Sequence, residues 1–208
     1  MKGHQGFGNS LSRAAFIITA ALSLALTGCS SGGGGDYDSA WVGDIESDLT
    51  VSGSVGDGPA VNASVVIRKN NGEELSSFRT DGSGSYNVDL SVSQRHFPLL
   101  VDAIGGTDIV TDTAPDFVLR SAVLSAQGQV TANVNPFSTV AYEIAKDLNG
   151  GLTKENLIAA EAIVVNSMNS GLSTVVRSGP MRTPVDESNV AEIIKASETL
   201  AEIVRRTR

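Results

Sequence analysis

Cysteine, histidine and aromatic residues are scarce in this chain. A single cysteine, Cys29, among 208 residues excludes an intramolecular disulfide, so the fold has to be held by packing. Two histidines, His4 and His96, provide no H-x-x-x-H metal pair, and no G-x-S-x-G or G-x-x-x-x-G-K-[ST] stretch is present. Aromatics make up 5% of the residues, too few for a broad platform on which bases or sugars stack. Lys and Arg number 15 against 23 Asp and Glu, a net charge of −8. Such a surface repels phosphate backbones, and nucleic acid is not an expected partner. The longest apolar run, Ala14 to Leu26, has 13 residues. As a helix it would rise about 20 Å, short of the ~30 Å hydrocarbon core of a membrane.

What is present begins with that run. Lys2 and Arg13 give a positive front, and AAFIITAALSLAL supplies the apolar centre of an export signal. The run closes on Leu26-Thr27-Gly28-Cys29, which resembles the lipobox of bacterial lipoproteins. The resemblance implies cleavage between Gly28 and Cys29, a diacylglyceryl group on the Cys29 thiol and acylation of the new amino terminus. Anchoring in the lipid bilayer through acylated Cys29 would follow, because each buried CH₂ contributes about 0.8 kcal/mol. The alternative is an ordinary secretory signal with an incidental cysteine. Ser30 stands where an aspartate would signal inner-membrane retention, so the resemblance favours the outer membrane. Loss of Lys2 and Arg13 from 15 basic residues leaves 13 against 23 acids, a charge of −10.

The expected organisation is a signal at residues 1–28, a tether at 29–47, a β-sandwich at 48–134 and a helical region at 135–208. Cys29 to Gly35 (CSSGGGG) has nothing to bury and high backbone freedom, as a flexible tether requires. Asp36, Asp38, Asp44, Glu46 and Asp48 then surround the lone Trp41. A calcium site is conceivable there, but the spacing matches no loop motif, and solvated acids are the plainer reading. No metal or cofactor is expected. Trp41 is expected to pack on the edge of the sandwich.

From Leu49 the apolar period becomes two, with turn residues every eight to twelve positions, the pattern of a sandwich of short antiparallel strands in a mainly β chain with added helices. Val51, Gly53 and Val55 alternate with serines. Val61, Ala63, Val65 and Ile67 are expected on one face of a single strand. Asn70-Asn71-Gly72 and Asp81-Gly82-Ser83-Gly84 supply turns. Further strands are expected over Glu74–Thr80, Tyr86–Leu90, Phe97–Ile104, Phe117–Leu124 and Gln129–Val134. Val51-Ser-Gly-Ser-Val55, Gly58-Pro59-Ala60-Val61-Asn62-Ala63-Ser64-Val65 and Thr80-Asp81-Gly82-Ser83-Gly84-Ser85-Tyr86 look like the carboxypeptidase-regulatory-like, or transthyretin-like, sandwich. That resemblance covers Leu49 to Leu90 best. It implies an Ig/transthyretin-like fold without catalytic residues, Gly84 allowing a tight hairpin and Tyr86 seating its ring in the core. Phe97-Pro98-Leu99-Leu100-Val101, Gly105-Gly106-Thr107-Asp108 and Asn135-Pro136-Phe137-Ser138-Thr139 look like exported bacterial proteins in which such a sandwich precedes helices.

Asn135 suits a helix cap and Pro136 the first helical position. Phe137, Val140, Ala141, Ile144, Ala145 and Leu148 then fall on one stripe up to Asn149-Gly150-Gly151. Burial of the four large ones is worth roughly 6–10 kcal/mol before entropy. A second helix from Thr153 carries Leu157, Ala160, Val164 and Met168, widened by Ile158, Ile163 and Val165, and is expected to need partners on two sides. Residues 171–184 read as a loop with Arg177 and Arg182 as scattered surface charges. A third helix from Glu187 bears Val190, Ile193, Ile194, Leu200, Ile203 and Val204 and ends in Arg205, Arg206 and Arg208. It has no stop signal, so the natural chain is expected to continue or to offer this stripe to another chain.

No catalytic residue is assigned. His96 is expected at a strand end, and Asp108 with Asp112 is the nearest thing to an acid/base pair. The sequence therefore points to a non-enzymatic envelope or surface module with a protein or glycan partner. A hydrolase using paired carboxylates, and the membrane-proximal part of a longer protein, are the alternatives.

Overall fold

A computed structural model describes residues 45–125, 128–168, 179 and 181–206. Among these, nine strands precede three helices. One sheet has the order β5 (Ser85–Ser93), β1 (Glu46–Ser54), β9 (Gly128–Thr131). The other has the order β4 (Glu74–Arg79), β3 (Ser64–Arg68), β6 (Leu99–Ile104), β8 (Leu119–Val123). The inner faces supply Leu49, Val51, Val65, Ile67, Leu99, Val101, Leu119 and Val123, all buried in one core. This is the expected β-sandwich followed by helices. Strand β1 starts at Glu46 rather than at residue 48, because the long β5 continues to pair with it as far as Glu46↔Ser93.

Two features depart from a plain antiparallel reading. Pairing of β1 with β9 is parallel, since the chain crosses from β8 to the other sheet and enters on the free side of β1 in its own direction. The expected strand through Val61 is broken. Asn62 has φ 59°, which splits it into β2 (Ala60–Val61) and β3 and turns the core-facing position from Val61 to Ala60. The kink is held by Thr80, whose hydroxyl accepts from Ala63 N at 2.9 Å and donates to Ala60 O at 2.6 Å. Strand β2 then pairs with β7 (Thr107–Asp108) in a small separate sheet.

The β4–β5 hairpin forms for reasons visible in its residues. Asp81 Oδ1 accepts from Ser83 N at 2.8 Å and from Ser85 N at 3.0 Å, and Gly84 adopts φ 72°, which side-chain-bearing residues disfavour. Tyr86 buries its ring in the core and donates its hydroxyl to Ala132 O, and burial pushes the phenol up. Both residues do what the resemblance implied for them.

Strand β8 is two-sided. Leu119 and Val123 face the sandwich, while Ala122 and the following Leu124 join a second core with helix α1 (Pro136–Asp147) and helix α2 (Lys154–Met168). Asn135 caps α1 in a reciprocal box: Ser138 N donates to Asn135 Oδ1 and Asn135 N donates to Ser138 Oγ, both at 2.9 Å. The same motif docks the helix. Ser138 Oγ donates to Arg120 O at 2.6 Å and Arg120 N donates to Thr139 Oγ1 at 2.9 Å. Replacing Asn135 with alanine is expected to cost about 1–2 kcal/mol, read as a lower denaturation midpoint with unchanged slope.

In α2, Leu157, Ala160 and Val164 are buried, but Ile158 and Ile163 are 43% and 46% exposed. The helix shares a core with α1, Met181 and Leu200 and meets Arg182 through Glu161, while the side bearing Ile158 and Ile163 stays half-open among the described residues. Helix α3 (Val190–Arg206) buries Ser197, Leu200 and Ala201 and leaves Ile203 exposed. The expectations for Trp41, Met168, Arg177, Val204, Arg205 and Arg208 lie outside the described residues and side chains.

Candidate functional site

The most concentrated group of chemically capable side chains lies where two sandwich loops meet α3. Asp57 comes from the Gly56-Asp57-Gly58-Pro59 turn after β1, Asp108 from β7 and Glu198 from α3. One carboxylate oxygen from each lies within 4.8 Å of the others. Asp57 is 4% and Asp108 2% exposed.

Asp108 is held by backbone amides. Its Oδ2 accepts from Gly58 N at 2.9 Å, and its Oδ1 accepts from Val110 N at 2.7 Å and Thr111 N at 3.3 Å. Gly58 is required for that approach: a Cβ there would lie 2.5 Å from Asp108 Oδ1. Asp57 and Glu198 each make further polar or electrostatic contacts of their own. Three carboxylates this close repel one another unless donors, a proton or a cation compensate them. Here amide donors stabilise the Asp108 carboxylate, and the three carboxylates are grouped closely enough that they could hold a cation. The arrangement is a polar joint between the sandwich and α3.

A second polar group crosses the outer side of the β3–β6–β8 sheet. Arg68 Nη1 donates to Asp102 Oδ2 at 2.5 Å, Arg120 Nε lies 3.5 Å from Asp102 Oδ1, and Arg120 also pairs with Glu143 of α1. The Arg120 guanidinium lies 5.6 Å from the Tyr142 ring centre. Burial raises the Glu143 carboxyl, but hydrogen bonds from Lys146 and Arg120 outweigh it and hold the group below its ordinary value. The chain of charges fastens α1 to the sheet.

The third group is Glu161 of α2, 3% exposed, paired with Arg182. Arg182 is exposed, as expected from sequence, but it is paired rather than scattered. It is drawn to a carboxylate that the helix packing buries.

Cys29 and Gly28, the expected lipidation and cleavage residues, lie outside the described residues, as do Asp36, Asp38 and Asp44. Glu46 and Asp48 sit exposed on β1, on a paired strand. His96 closes a 3-10 turn, Gln94–His96, after β5, and accepts from Arg95 Nε at 3.3 Å. Asp108 and Asp112 do not form a cooperating pair in a cleft, because Asp108 is turned to the amides of Gly58, Val110 and Thr111 while Asp112, at φ 55°, is exposed. Sequence reading missed Asp57 and Glu198. Asp57 looks like a turn residue and Glu198 like one more helix-surface acid, and no local pattern joins positions so far apart.

No family model matches this chain, and no curated protein matches it. Among solved structures it is similar to the Bacillus anthracis TIE protein, at 16% identity and a TM-score of 0.28, over 43% of this chain. The chain spans 17% of that protein's length, and a likeness of this size carries no argument about fold or function.

Proposed function

We propose that this chain is an exported, lipid-anchored protein of the bacterial cell envelope, on the outer membrane, that works as a non-enzymatic binding or structural module. The observation that carries the reading is the chain's lone cysteine placed at the end of Leu26-Thr27-Gly28-Cys29, directly after a 13-residue apolar run with a basic front. Among the described residues no helix is long and apolar enough to cross a membrane, and on this reading the acyl chains on Cys29 provide the attachment. The sandwich is read as transthyretin-like, presenting its loops and polar faces to a protein or glycan. An open groove across β5, β1 and β9, lined by Asp48, Thr50, Asp89, Ser91 and Gln129, offers hydroxyl, amide and carboxylate groups of the kind that hydrogen-bond sugars and peptides.

The competing hydrolase needs two carboxyls that reach a bound substrate. The group that faces inward, Asp57 and Asp108, is buried, and Asp108 already accepts from three amides. The test is intact-mass analysis of the chain expressed in a Gram-negative bacterium and extracted from membranes, beside Cys29→Ala. The expected result is an acylated chain starting at Cys29, and in the variant no acylated product. An unmodified soluble product cut elsewhere would overturn the proposal.

A further inference from the structure

Gly179 and residues 181–183 form a turn that joins the helices to the sandwich. Gly179 O accepts from Arg182 N and Thr183 N, both at 3.1 Å, and from Thr183 Oγ1 at 2.9 Å, which closes the turn. Met181 is buried in the core shared with Leu157, Val164 and Leu200. Asn133, just beyond β9, grips the turn from the other side: its N donates to Met181 O at 2.8 Å and its Nδ2 to Thr183 O at 2.5 Å. Beneath the turn lies Glu161. Its Oε2 pairs with Arg182, and its Oε1 is buried with no hydrogen-bond partner among the described residues. Gly179, at φ 82°, runs directly over the carboxylate, since a Cβ there would lie 1.7 Å from Oε1.

We propose that this turn is a pH-responsive clasp between sandwich and helices, which holds more firmly when Glu161 takes up a proton and loosens when it ionises. Docked, the turn keeps the carboxylate from water, and lifting it returns the carboxylate to water. Burying the charged form is costly unless its partners compensate. Arg182 compensates in part, but its side chain is 40% exposed, so solvent screens the pair. The faces of α1 and α3 packed into the same core contribute Ala141, Ala145 and Leu200. Among the described residues Arg182 is the charged group that acts on Glu161, with an amide from Met181 as a further donor, and burial outweighs both, pushing the carboxyl above its ordinary value of 4.5. The docked state therefore binds the proton more tightly than the lifted one. Docking strengthens as pH falls from neutrality towards 4.5 and weakens as pH rises through the raised native value.

The test is hydrogen–deuterium exchange on the full chain at pH 5 and pH 8, with intrinsic rates divided out, read at the amides of Asn133, Arg182 and Thr183. Protection is expected to be several-fold lower at pH 8. In Glu161→Gln it should be high and equal at both values, and in Arg182→Gln the fall should be steeper because the compensating charge is gone. Equal protection at both pH values in the unaltered chain, or an undiminished fall in Glu161→Gln, overturns the clasp. If Glu161→Gln does not fold, Arg182→Gln decides: a fall no steeper than in the unaltered chain overturns it as well.

Discussion

Asp108→Ala is expected to lower folding stability by about 3–5 kcal/mol, the sum of a lost charged acceptor and the amides of Gly58, Val110 and Thr111 left with no partner. Asp108 lies in β7, which pairs with β2 and is followed by the turn at residues 109–112. Its loss would therefore release both the Gly56-Asp57-Gly58-Pro59 turn and the loop after it. Asp108→Asn should cost less, because its amide oxygen still accepts from some of these donors, although one carboxylate oxygen becomes a donor facing amide donors. Denaturant titration checks the order, with alanine below asparagine below the native residue. A near-neutral Asp108→Ala would show that the joint is not held by these bonds. The same substitution separates structure from chemistry, because a residue fixed by three backbone donors serves the fold first.

Gly53→Ala is expected to be comparably damaging, at about 3 kcal/mol, although it adds a single methyl group. Gly53 sits in β1 opposite Tyr86. A Cβ there would lie 2.3 Å from Ala132 O and 3.0 Å from the Tyr86 ring, and neither is the free end of a flexible side chain. Ala132 is fixed to the sheet through its N–H to Ser52 O at 2.8 Å, and its carbonyl accepts the Tyr86 hydroxyl. The methyl group must therefore push the segment after β9 away from β1 and strain the Tyr86 bond. Combining Gly53→Ala with Tyr86→Phe in a double-mutant cycle should give a combined loss smaller than the sum, because both act on one contact. Strict additivity would show that the tyrosine bond survives the added methyl.

Much of this fold is legible in the residues because the forces that make it are local. Alternation in Val51-Ser-Gly-Ser-Val55 marks a half-buried strand, Gly84 marks a hairpin that needs positive φ, and Asn135-Pro136-Phe137-Ser138-Thr139 marks a helix start. In the last case the local signal also holds the tertiary contact, since Ser138 and Thr139 bond to the backbone of Arg120. The strand through Val61 was misread because Asn62 breaks it at φ 59°. That conformation is secured by Thr80, together with Arg79 Nη1 donating to Asn62 O at 2.8 Å, and these two residues lie at and just beyond the end of β4. The parallel placement of β9 was equally invisible, since alternation says which face is buried and nothing about the neighbour's direction.

The polar joint and the clasp lie beyond sequence reading for a different reason. Asp57, Asp108 and Glu198 sit in a turn, a two-residue strand and a helix, each ordinary in its own setting. They become unusual once folding brings three carboxylates within 4.8 Å of one another and removes two of them from water. Arg182 looks like any loop arginine until helix packing buries Glu161 beneath it.

By itself the sequence determined the periodicities, turns and caps that make a sandwich followed by helices, together with the Leu26-Thr27-Gly28-Cys29 stretch on which the proposed address rests. Those are properties of neighbouring residues, fixed by backbone sterics and by the spacing of apolar side chains. Only the tertiary structure decided which strand lies beside β1, which acids leave the solvent and which arginine meets a buried glutamate, because burial and charge proximity belong to contacts between residues far apart in the chain.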